Sequence, residues 1–154
     1  MKKLDKIIAG IDFSVYSARI LQYAAGIAER NEAELIAVSV INKRQIDYIK
    51  EVCRHEDPGT ITLEKFINDE TRRRTVNLED MFRQYVPKMV ATRSIIRSGV
   101  PFEEILLAVA DEEADLVVIS SKGRTNFKDY MFGTTSEKIF RHCPVSLLSL
   151  NLRQ

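Results

Sequence analysis

The stretch Leu116-Val117-Val118-Ile119-Ser120-Ser121-Lys122-Gly123-Arg124-Thr125-Asn126 resumes after six residues as Gly133-Thr134-Thr135-Ser136-Glu137. It is an apolar strand, a glycine loop and a second glycine directly before a helix start, which suits phosphate binding. Glycines let backbone amides approach an anion closely, and a helix start leaves its first N–H groups unpaired under a dipole that favours negative charge. Thr134 and Glu137 have the spacing of a capping box, which predicts the helix start at Thr134 and puts three hydroxyls, Thr134, Thr135 and Ser136, in its first turn. The segment is not the common P-loop, whose lysine follows the second glycine; here Lys122 precedes Gly123. On these residues alone, a turn glycine followed by an ordinary helix entry is an equal reading.

Working outward, strand-like and helix-like runs alternate along the 154 residues, which predicts one α/β domain with a largely parallel sheet. The first strand is expected over 6–11, with Asp12-Phe13-Ser14 at its carboxyl end and Ser14 as N-cap of a helix reaching about Glu29. A second strand is expected over 35–41. Residues 42–90 are read as an extended crossover, either packing or a lid: a short helix at 46–53, a turn at Asp57-Pro58-Gly59, then one long amphipathic helix ending near Pro87. An outer strand over 89–97 follows, stopped by Ser98-Gly99, and Pro101 opens the next helix with Glu103 and Glu104 in its first turn. The strand 116–119, the helix 134–142 and the strand 145–150 complete the chain, with no internal repeat. In open sheets of this kind ligands bind beyond the carboxyl ends of the strands, where the chain order reverses. Asp12 to Ser14 and Ser120 to Asn126 both fall at such ends.

Charge nearly cancels, with 23 basic against 22 acidic residues, so no global field draws in nucleic acid or an anionic membrane. The basic N-terminus lacks a cleavage site and no apolar run is long enough to span a bilayer, so the chain reads as cytoplasmic. Cys53 and Cys143 lie far apart and read as reduced thiols.

These features together resemble the universal stress protein family over nearly the whole chain. The marks are the opening strand ending in Asp12-Phe13-Ser14, Gly99-Val100-Pro101 before a helix, Asp115-Leu116-Val117-Val118-Ile119 entering the glycine loop, and Cys143-Pro144-Val145 before the last strand. The resemblance implies a Rossmann-like sheet, of the adenine nucleotide alpha hydrolase type, with five parallel strands in the order 3-2-1-4-5 and helices on both faces. It also implies ATP or a related adenine nucleotide as ligand, with Mg²⁺ accompanying it. Family members that bind ATP carry Gly-x-x-Gly, nine residues, then Gly-Ser/Thr. Here the first glycine is Ser120, the second Gly123, and the third Gly133 before Thr134.

Serine adds a Cβ where the backbone lies near ribose and phosphate, tolerable at negative φ and destabilising if φ must be positive. By the resemblance, Asp12, Phe13 and Ser14 lie near the nucleoside or its metal, and Val40 lies against adenine. Lys122 and Arg124 would add local positive charge, and Thr134, Thr135 and Ser136 would reach the phosphates. The implied function is a stress-response regulatory module, homodimeric through the strand 145–150. The alternatives are a nucleotide-independent dimeric interaction protein and, third, a slow ATPase for which Asp12 is the candidate base.

Other polar clusters read as structure. Arg72-Arg73-Arg74, flanked by Asp69, Glu70, Glu79 and Asp80, reads as a solvated helix face. Cys53 and His55 are too few for zinc, and the adjacent His142 and Cys143 do not face each other as base and nucleophile; His142 reads as a complement to the helix dipole. No catalytic residue and no metal site of the protein's own are expected.

Overall fold

The computed structural model describes residues 2–122 and 133–152, and the chain runs β1 (Lys6–Gly10), α1 (Ser17–Asn31), β2 (Glu34–Asn42), α2 (Lys43–His55), α3 (Leu63–Tyr85), β3 (Thr92–Gly99), α4 (Pro101–Glu112), β4 (Leu116–Ser120), α5 (Thr134–His142) and β5 (Ser146–Leu150). The strands form one sheet in the order β3-β2-β1-β4-β5, and every neighbouring pair is parallel. The chain therefore starts in the middle, builds outward to β3, and returns to place β4 on the other side of β1. That reversal puts the switch point between β1 and β4.

Alternation along each central strand feeds two cores. Ile7 and Ala9 of β1, Leu35 and Ala37 of β2, and Leu116 and Val118 of β4 pack with Ile20, Leu21 and Ala24 of α1 and Leu78 of α3. Ile8, Ile36, Val38, Val117 and Ile119 face the other way, against Ile105 and Val109 of α4 and Ile139 of α5. Ile7 and Ile8 are wholly buried, and each contributes about 1.5–3 kcal/mol through apolar area removed from water. Such two-sided burial explains why β1 and β2 read as continuous apolar runs rather than as alternating ones.

Local chemistry departs from the sequence reading in three places. Ser14 does not cap α1. The helix begins at Ser17 with Tyr16 as its N-cap, while the Ser14 carbonyl accepts from Ser17 N at 3.1 Å and its hydroxyl accepts from Tyr16 N at 3.3 Å. A tight turn with Phe13 at φ 58° takes up the intervening residues. Helix α5 does begin at Thr134, but Gly133 is the N-cap and no side chain caps it; Glu137 pairs instead with Arg141 at 2.9 Å, so the capping box does not form. The arginine run is not uniformly solvated: the side chain of Arg72 is 76% exposed, that of Arg74 only 4%.

At the β3–α4 junction the strand continues through Gly99, which pairs with Asn42, before Pro101 opens the helix. Gly99 has φ 151°, and a Cβ there would come within 2.7 Å of the Glu104 carboxylate. That carboxylate accepts from Arg97 Nε at 2.9 Å, so glycine at 99 lets helix and outer strand be tied by an ion pair.

Candidate functional site

A cavity of about 700 Å³ opens over the carboxyl ends of β1, β2 and β4, bounded by the starts of α1, α2, α4 and α5. Its floor includes Gly10 and Ile11 after β1, Val38 and Val40 of β2, and Ile119 and Ser120 of β4. A Cβ on Gly10 would stand 3.0 Å from the Ile119 side chain, so this glycine keeps the floor open between neighbouring strands.

On the β4 side the wall is rich in hydrogen-bond donors. Gly133, Thr134, Thr135 and Ser136 line the cavity at the uncapped start of α5, where Glu137 N is the first amide bonded back into the turn, to Gly133 O at 2.9 Å. Ser136 Oγ donates to Ser120 O at 2.7 Å, and Gly133 N donates to Ser121 O at 2.7 Å. These bonds fix the helix start against the end of β4. The non-glycine residues of positive φ are Phe13, Glu32 and Glu113 among the described residues, and Ser120 is not one of them. Ser120 therefore sits in a conformation that a serine adopts without strain. Its hydroxyl accepts from Lys122 N at 3.2 Å, and its own proton remains available as a donor into the cavity.

Opposite this wall, Asp12 Oδ1 accepts from Ser14 N at 2.9 Å and from Ser17 Oγ at 3.3 Å. Its Oδ2 has no hydrogen bond among the described residues, so the carboxylate builds the β1–α1 turn with one oxygen, keeps the other uncommitted, and lines the cavity. Phe13 is not part of the lining. It packs on the α1 core, and its ring lies 5.8 Å from the Arg74 guanidinium.

Of the positions the sequence singled out, Asp12, Ser14, Val40, Ser120, Lys122, Gly133, Thr134, Thr135 and Ser136 all line this one cavity. Gly123 and Arg124 lie outside the described residues. Sequence reasoning missed Arg74, Lys43, Arg44, Lys138 and the start of α4 at Val100 to Phe102, all of which line the cavity. Lys138 lies 4.7 Å from the Phe102 ring centre, and Lys43 is paired with Asp47 at 2.6 Å. The proximity of Lys43 holds the Asp47 carboxyl below its usual range. Lys122 and Arg44 form no ion pair among the described residues, so their charge is uncommitted at the rim. The signal for Arg74 was in the helix phase: it stands four residues after Glu70 and four before the fully buried Leu78, on the inward stripe of α3.

Residues 3–150 match the model of the universal stress protein family. The chain belongs to this family. Universal stress protein YxiE of Bacillus subtilis is 26% identical over 94% of this chain and 98% of its own length. Universal stress protein MJ0577 of Methanocaldococcus jannaschii is 25% identical over 88% of each chain. The solved structure of MJ0577 superposes with a TM-score of 0.82 over 99% of both chains at 22% identity. A universal stress protein in complex with cAMP (TM-score 0.64, 16% identity, 97% of this chain and 98% of that one) and one from Archaeoglobus fulgidus in complex with dAMP (0.64, 14%, 97% and 100%) share the fold. The universal stress protein sheet order 3-2-1-4-5, implied by the resemblance, is the order observed. No helix among the described residues is long and apolar enough to cross a membrane.

Proposed function

We propose that this universal stress protein binds ATP or a closely related adenine nucleotide in the cavity over β1, β2 and β4, and acts as a stress-linked regulatory module. The observation that carries the reading is the uncapped start of α5 facing the same cavity as the Ser120 hydroxyl and the uncommitted Lys122, at the switch point of a parallel sheet. Family membership and the fold shared with proteins solved with cAMP and dAMP support it. The phosphates take the amides of Thr134 to Ser136 and the hydroxyls of Thr134 and Thr135, with Gly133 and Ser136 bonded to the end of β4 to hold them in place, the nucleoside crosses β1 beside Asp12, and the base reaches Val40. Gly123 and Arg124 complete the phosphate side in this reading. Mg²⁺ would neutralise the phosphate chain, and Asp12, a cavity-lining carboxylate whose Oδ2 has no hydrogen bond among the described residues, would hold it. The negative φ of Ser120 supports binding over the nucleotide-independent reading.

In the same reading the protein is a cytoplasmic homodimer joined through β5, an edge strand paired only with β4 among the described residues, with Leu147 and Leu148 half-buried. Denaturing freshly purified protein and resolving the released small molecules by ion-pair chromatography tests the nucleotide. Stoichiometric adenine nucleotide is expected. An empty protein that also fails to take up added Mg-ATP would overturn the assignment and leave a nucleotide-independent dimer.

A further inference from the structure

The cavity wall farthest from the phosphate side is made by a buried arginine that has not used all its donors. Arg74 Nε donates to Glu70 Oε1 at 2.8 Å, and Nη1 donates to both Ser39 Oγ and Val40 O at 2.9 Å. Glu70 is held independently by Arg73, through bonds of 3.0 and 2.6 Å, and Arg73 and Arg74 together keep its carboxyl ionised, below its usual range. Two guanidinium groups against one carboxylate leave a net positive charge. The third nitrogen, Nη2, has no hydrogen-bond partner among the described residues, and it is not one of their sealed, partnerless side-chain atoms, which are Ser121 Oγ and Ser149 Oγ. Arg74 is 4% exposed and lines the cavity, which puts its guanidinium at the border of the ligand space.

Two strand spacings, about 10 Å, separate the end of β4 from the end of β2. A ligand with its phosphates at α5 therefore brings its opposite end, the base, to Val40 and Arg74. There the Val40 carbonyl accepts from Arg74 with one of its two lone pairs, and the arginine adds donors to a wall that a bare strand end would leave to the backbone alone.

We propose that Arg74 is a specificity-determining residue that donates through Nη2 to a ring nitrogen of the bound purine. The inference rests on the adenine-nucleotide reading above and adds to it the group that reads the base. Arginine is suited to the task because its fork is rigid and donor-only, and here three of its five N–H groups are fixed by Glu70, Ser39 and Val40, leaving two without a partner among the described residues.

The test compares the binding of ATP, its 1-, 3- and 7-deaza analogues, and ribose 5-triphosphate, by calorimetry, to wild type, Arg74→Met and Arg74→Lys. In wild type, one of the three deaza analogues binds about tenfold more weakly than ATP, because one charge-assisted hydrogen bond is lost. In both variants that difference disappears, while the affinity for ribose 5-triphosphate stays at the wild-type value. Glu70 retains Arg73 as partner in the variants, and thermal melts with far-UV spectra verify the fold. The analogue series in wild type stands by itself if a variant does not fold. Equal binding of all three analogues and ATP to wild type overturns the role of Arg74 and leaves the nucleotide site intact. So does a parallel loss of ribose 5-triphosphate binding in folded Arg74 variants, which would mark the residue as a mere support. Failure of wild type to bind either ATP or ribose 5-triphosphate overturns the nucleotide reading itself, and the base-reading role with it.

Discussion

The two ends of the sheet use the same residue types to opposite purposes. At the amino-terminal end, charges and amides are matched to one another. Asp115 accepts from Asp5 N at 2.8 Å, Lys6 N at 3.1 Å and Lys2 Nζ at 2.7 Å, while Arg93 bridges Glu34 and Glu112, each at 3.1 Å. At the carboxyl-terminal end, α5 starts without a side-chain cap, and among the described residues Lys122 and Arg44 have no ion pair and Arg74 keeps a nitrogen unpartnered. Satisfied polar groups stabilise a fold, whereas unsatisfied donors beside a cavity are a standing demand for an anion or an acceptor. One end of the sheet is closed on itself; at the other the described residues leave donors open on the cavity.

The sharpest way to break this contrast is Gly133→Val. Gly133 has φ −70° and ψ 158°, extended backbone that valine adopts readily, so the fold should survive. The branched side chain would stand over the α5 amides and weaken ATP binding by roughly 100-fold, the loss of about two charge-assisted hydrogen bonds. Calorimetric titration beside a far-UV spectrum reads both halves of that expectation.

Asp115→Asn addresses the other end and should show the reverse pattern. The Lys2 ammonium, then the Asp5 and Lys6 amides, hold the Asp115 carboxyl down at about 2, well below its usual 3.8. Its side chain is 8% exposed, although Lys2, the largest cause, is in solvent and screened. A depressed carboxyl stabilises the folded state above its unfolded value, near pH 4, and loses that contribution as pH falls through about 2; we expect about 1–2 kcal/mol at neutral pH. Urea melts of wild type and Asp115→Asn should differ by that amount near pH 7 and converge near pH 2. Nucleotide affinity of the folded variant should match wild type.

The smallest effect is expected from Ser120→Gly, which restores the family's first glycine. Because Ser120 already has negative φ, glycine relieves no strain, and its extra freedom when unfolded costs about 0.5–1 kcal/mol of stability. Affinity for ATP should stay within about threefold, the modest weight of one neutral hydroxyl. A gain of tenfold or more would show that Ser120 obstructs the site.

The order and kind of the elements were legible because buried parallel strands leave continuous apolar runs, and because Pro101 and the α3 phase are local signals. The long segment 42–90 resolved as expected, into a short helix and one long one, α2 and α3. What the sequence hid was hydrogen-bond choice between competing partners. Glu137 had both a cap and Arg141 within reach and took Arg141, and Asp12 and Ser14 built a turn around Phe13 rather than a direct cap. Of the site, the β1 and β4 ends were readable from glycines and hydroxyls. Arg74 was not, since three consecutive arginines look alike until helix phase separates the buried one from its exposed neighbours.

The bonds from Ser121 N to Leu150 O, from Gly133 N to Ser121 O and from Ser136 Oγ to Ser120 O join the end of β5, the end of β4 and the start of α5. They make the last helix and the last strand a clasp closed on the outermost strand of the sheet. In the language of local opening, the start of α5 cannot leave the end of β4 without loosening the end of β5, so the two elements open together. Whatever steadies the start of α5 therefore also steadies the strand at the molecule's margin.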